Sequence, residues 1–159
     1  LMPLTPSPNF YPPDFTTDTA SPLYARLIQE VDLFATFTRG LAQNYDRDLR
    51  PGMAVYFSDG QPTDAAREEL AIIATQVTAI EARIELYFVG VGTSCDMRAL
   101  QRLAQPGRDA IHLRDVKSFG RFFEWVYRSI RQKSQSCQGD QLRLGHPIDP
   151  RLPDLRAEG

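Results

Sequence analysis

Residues 55–64 read VYFSDGQPTD, and the fold turns on how this stretch is interpreted. An apolar run halts at one acidic residue, Asp59, followed at once by glycine. Just upstream, Arg50-Pro51-Gly52 is turn chemistry, and Met53 to Phe57 is apolar without alternation. Such a run predicts a strand covered on both faces, as in a parallel sheet. Asp-Gly by itself is ordinary turn chemistry at a strand end. Three roles are therefore open to Asp59: metal ligand, nucleophile or turn residue.

Working outward, SPLYARLIQEVDLFATFTRGLAQNY (21–45) predicts a helix. Ser21 suits the N-cap, and Pro22 suits the first helical position, where its missing N–H costs nothing. Leu23, Leu27, Val31, Phe34 and Leu41 recur at helical spacing, with Ile28 and Phe37 widening the stripe. PTDAAREELAIIATQVTAIEA predicts a second helix, capped by Asp64, with Leu70, Ile73, Val77 and Ile80 as its buried stripe. RIELYFVGVG is a second buried-type strand, rich in β-branched and aromatic residues. SCDMRALQRLA predicts a short helix capped by Ser94 or Asp96, with Leu100 and Leu103 turned inward. DAIHL predicts a brief strand. Ser118 is then expected to cap FGRFFEWVYRSIRQK, with Phe119, Phe122, Phe123, Val126 and Ile130 on one face.

Alternating helices and strands predict an α/β, Rossmann-like domain: a mostly parallel sheet with helices on both faces. The domain is expected over 1–133, followed by a flexible polar tail over 134–159. Right-handed crossovers place the C-terminal ends of parallel strands along one edge, where ligands of such folds bind. Asp59 and the loop Gly90-Val91-Gly92-Thr93 both follow strands, so both belong to that edge.

Composition narrows the function classes. The chain has 159 residues, 42% hydrophobic and 24% charged, with a formal net charge of -2. Lys and Arg form no dense block, so neither nucleic acid nor an anionic membrane is an expected partner. No apolar stretch reaches the ~20 residues of a spanning helix. Cys95 and Cys137 have no metal-ligand spacing, which predicts free thiols and a cytoplasmic location. His112 and His146 stand without ligand-spaced partners, so each reads as structural or solvated.

VYFSDGQPTD, LYFVGVG, FGRFFEWVYRSI and the TASPL at 19–23 together resemble a von Willebrand factor A domain. More narrowly, the chain resembles bacterial proteins of the tellurium-resistance-associated TerY type, from about Leu1 to Ser136. That resemblance implies a metal-ion-dependent adhesion site at the C-terminal edge of the sheet, holding Mg²⁺ or another divalent cation. By position it assigns Asp59 as the later carboxylate ligand and Ser21 as the loop hydroxyl, both hard oxygen donors. A partner protein would supply an Asp or Glu to the open coordination position, with no reaction. The family's D-x-S-x-S segment does not occur in this sequence, and position 1 falls within the family's third strand. The resemblance therefore implies an N-terminally incomplete domain.

Two other readings stand beside this one. One is a scaffold of the same fold that needs no metal, in a stress-response complex. The other is a phosphate-ester hydrolase with Asp59 as nucleophile. Position 61 is Gln, where such sites carry a second Asp, and no nucleophile–base pair is found. Gly90 and Gly92 form no G-x-G-x-x-G or Walker loop and are expected to permit a tight turn.

Overall fold

A computed structural model of the chain describes residues 22–45 and 51–135. Its elements are α1 (Leu23–Tyr45), β1 (Gly52–Ser58), α2 (Glu68–Glu81), β2 (Ile84–Val91), α3 (Met97–Leu103), β3 (Ile111–Leu113) and α4 (Val116–Gln135). A 3₁₀ turn at Ala65–Arg67 leads into α2. The three strands form an open parallel sheet in the order β1-β2-β3, so the chain is α/β. β2 and β3 are in register at Val89 with Ile111 and Val91 with Leu113. The residues divide into two compact units. One holds α1 and α2; the other holds the sheet from Met53 and Leu86 onward, with α3 and α4.

In the helical unit, α1 buries Leu27, Val31 and Ala35, as the helical period requires. Phe37, expected in that stripe, is exposed. α2 overturns its expected orientation. Leu70, Ile73, Val77 and Ile80 are 48 to 66% exposed, while Ala71, Thr75 and Ala79 are buried. The small residues recur at i, i+4 and i+8 and form a face that lets the α1 and α2 backbones come close. Thr75 satisfies its buried hydroxyl on the Ala71 carbonyl at 2.6 Å. Both faces recur at helical spacing, and the face of small residues is the one that packs.

Helix α1 begins in an unexpected way. The Pro22 carbonyl accepts the Arg26 N–H at 3.1 Å, so Pro22 takes the N-cap position and Leu23 the first helical one. Pro22 has no side-chain acceptor for the exposed N–H groups of the first turn. Asp64 supplies it: Oδ1 accepts from Tyr24 N–H at 3.2 Å and Oδ2 from Ala25 N–H at 2.8 Å. The sequence reading made Asp64 the cap of α2, but it makes no side-chain cap bond there. It caps α1 from across the unit instead. Tyr24 hydroxyl reinforces the join by donating to Glu68 at 3.1 Å.

In the sheet unit, β2 is buried along Leu86 to Gly90, so both of its faces are covered. Tyr87 and Val89 join Ile111, Leu113, Phe122 and Trp125 in the core. Trp125 meets Tyr87 edge-on at 5.0 Å, and the Arg108 guanidinium lies 4.7 Å over the Tyr87 ring. β1 was expected to be covered on both faces, yet its residues are only half-buried and Phe57 is 45% exposed. Among the described residues it lies at the end of the strand order, with β2 as its one neighbouring strand.

Helix α4 buries Phe122, Trp125 and Ser129. Phe123 and Ile130, expected on that face, are exposed, and Phe119 and Val126 are partly buried. Its cap is Asp115, three residues before the expected Ser118. The two form a reciprocal box: Ser118 N–H donates to Asp115 Oδ1 at 2.8 Å, and Asp115 N–H donates to Ser118 Oγ at 3.1 Å. Among the described residues, no helix is long and apolar enough to cross a membrane.

Candidate functional site

The loops after β1 and β2 meet at one end of the sheet unit. Asp59 follows the last residue of β1 and is exposed. Its carbonyl accepts the Asp96 N–H at 2.9 Å, which ties the β1 loop to the start of α3. Gly60 makes this approach possible. Its φ is +70°, and a Cβ there would lie 2.3 Å from the Asp96 carbonyl oxygen. Gly60 N–H also donates to Ser58 Oγ at 3.0 Å. The loop that presents Asp59 is thus fixed by the protein's own hydrogen bonds.

Asp96 caps α3, its Oδ1 accepting from Arg98 N–H at 3.0 Å and Ala99 N–H at 3.4 Å. This is one of the two caps expected for α3. Beside it, the Cys95 thiol reaches toward the Ser58 carbonyl at 3.8 Å and the Met97 sulfur at 3.7 Å. Burial pushes the Cys95 thiol up from its ordinary pKa; a hydrogen bond with the Val91 backbone opposes this, and the Asp59 and Asp96 charges add to the rise. Cys95 is therefore a free thiol whose thiolate form is disfavoured, within the electrostatic reach of Asp59. The sequence predicts a free thiol at Cys95 and does not show this proximity. The available signal was the shared strand-end placement of VYFSDG and GVGTSCD.

Gly90 and Gly92 do different work. Gly92, at φ +92°, turns the chain out of β2, as expected. Gly90 lies within β2, and a Cβ there would come 2.6 Å from Cys95 Sγ and closer still to Met97 Sδ. Its role is close packing under the loop, a correction to the expected turn. His112 also serves structure: Arg114 Nε donates to its Nδ1 at 3.2 Å, which leaves the proton on Nε2 for the Gly92 carbonyl at 2.7 Å.

The metal assignment divides between described and undescribed residues. Ser21 lies outside the described residues, as do Cys137 and His146. Asp64 has both carboxylate oxygens engaged on α1, and Asp96 is engaged on α3. Among the described residues, no group of three or more His, Cys, Asp or Glu side chains is placed to hold a metal ion. One exposed carboxylate fits as a single ligand of a hard-cation site and does not make a site alone. Set against models of known protein families, curated proteins and solved structures, the chain matches none of them.

Proposed function

We propose that this chain is a non-enzymatic protein-binding module of the von Willebrand factor A type, with Asp59 as one ligand of a Mg²⁺-type cation. The cation would bridge to an Asp or Glu of a partner protein, in a bacterial stress or tellurite-resistance complex. The observation that carries the reading is the exposed Asp59 at the end of β1, on a loop pinned by Gly60 and Asp96. A loop fixed by its own hydrogen bonds with an exposed carboxylate suits recognition, since little backbone ordering cost is left for binding. The remaining oxygen donors would come from Ser21 and other groups outside the described residues.

Isothermal titration of Mg²⁺ into the full chain and into Asp59→Ala tests this. Heat of binding in the parent that is lost in the variant is the expected result. Equal binding in both, or none in the parent, removes Asp59 from the role.

A second reading is a scaffold of the same fold that docks partners without metal. It is favoured by the loop's own bonds, Asp96 N–H to the Asp59 carbonyl and Gly60 N–H to Ser58, which fix its shape with protein groups alone. Partner capture undiminished by a chelator would select it.

A further inference from the structure

Two apolar stripes stand open to solvent, one on each unit, and their charges are opposite. On the sheet unit, Phe123, Tyr127 and Ile130 follow one another at i, i+4 and i+7 along α4. Phe57 of β1 stacks on Phe123 at 6.2 Å and extends the patch off the helix. All four are 45 to 61% exposed. By helical geometry Arg131 and Lys133 border this stripe on opposite sides, with Lys117, Arg121 and Arg128 further round, and α4 carries Glu124 as its single acidic residue, paired with Arg128 at 2.8 Å.

On the helical unit, Leu70, Ile73, Val77 and Ile80 form an exposed stripe of similar length with 3-4-3 spacing. α2 carries Glu68, Glu69 and Glu81 and no basic residue at all. Glu69 and Glu81 are exposed and, by helical geometry, border the stripe on opposite sides. Contiguous apolar surface rimmed by charge marks an interaction face.

We propose that these faces are the two halves of a head-to-tail contact between copies of this chain, the α2 stripe of one copy docking on the α4 stripe of the next. Charge selects this pairing. A symmetric contact would set basic α4 against basic α4, or acidic α2 against acidic α2, and like charges across an interface oppose association. The heterologous pairing joins opposite signs and matches apolar stripe to apolar stripe. Such contacts propagate into chains or rings, because each copy keeps one free end of each kind.

The contact is small. Roughly half of ~200 Å² per large side chain gives about 400 Å² a side, against the ~800 Å² per partner of a standard stable interface. Association is accordingly weak and grows with concentration.

Sedimentation velocity on the full chain, from about 5 µM to about 500 µM, spans the affinities expected of so small a contact. The parent is expected to sediment faster as concentration rises, while Val77→Asp and Tyr127→Asp, both at exposed positions, each remain monomeric. Mixed in equal amounts, the two variants are expected to form a dimer and stop there, since one keeps an intact α4 face and the other an intact α2 face. Far-UV circular dichroism matching the parent establishes that both variants are folded. A parent that stays monomeric throughout overturns the proposal. So does a mixture that fails to associate, because a symmetric contact cannot be complemented this way.

Discussion

The Asp64 carboxylate accepts the Ala25 N–H at 2.8 Å across a separation of 39 residues, so the first turn of α1 is closed by a residue that belongs to the approach to α2. A second oxygen takes the Tyr24 N–H, which makes the carboxylate a bidentate cap. The start of one helix and the approach to the next are therefore held by a single side chain.

Removing that side chain exposes the consequence. Asp64→Ala leaves two helix N–H groups without their acceptor and is expected to lower stability by about 0.5–2 kcal/mol, the usual range for a lost N-cap. Asp64→Asn, which keeps one acceptor oxygen, is expected to fall between. Urea unfolding followed by far-UV circular dichroism measures both.

The cap of α4 should be visible in acid. The Ser118 N–H, above all, holds the Asp115 carboxyl below its ordinary pKa, helped by the Ser118 hydroxyl and by Lys117. A depressed carboxylate contributes stability that is fully present above the unfolded-state value. It is lost as pH falls through the folded one, so the window lies below about pH 4. Asp115→Asn is expected to show a shallower loss of stability across that window, measured by denaturant midpoints at a series of pH values.

Cys95 offers a direct reading of Asp59. In a Cys137→Ser background, Asp59→Asn removes one of the charges that raise the Cys95 pKa, so the thiolate fraction increases. Alkylation by iodoacetamide at mildly alkaline pH is expected to accelerate relative to the parent. If Asp59 takes part in cation binding, Mg²⁺ is expected to accelerate alkylation in the parent and leave the variant unchanged. Mass spectrometry of the labelled peptide follows both rates.

Gly60 tests whether the loop geometry is required. Gly60→Ala places a methyl group against the Asp96 carbonyl at a backbone angle that favours glycine. The expected loss is roughly 1–3 kcal/mol, from strain and local displacement. Thermal unfolding reports it, and faster Cys95 alkylation in the folded state is expected to accompany it as the two loops separate.

Order and type of elements were legible in the sequence because apolar period and turn chemistry are local. Val89 and Leu100 are buried where the pattern put them. Failures arose wherever the answer lay in a distant partner. Leu70, Ile73, Val77 and Ile80 carry the strongest apolar signal in α2, but the small face at Ala71, Thr75 and Ala79 is the buried one. Asp64 was legible as a cap, and only tertiary structure could name the helix it caps. Ser118 and Asp115 bond to one another, so either could be taken for the cap from sequence alone. The exposed placement of Asp59 directly after a strand was legible from VYFSDG. Cys95 was not, because its closeness depends on Gly90 allowing the loop to settle on β2.

Trp125 gives the sheet unit a private signal. It is the chain's single tryptophan, buried against Tyr87 and Phe122, and α1 and α2 contain none. Its emission therefore follows the opening of the sheet core.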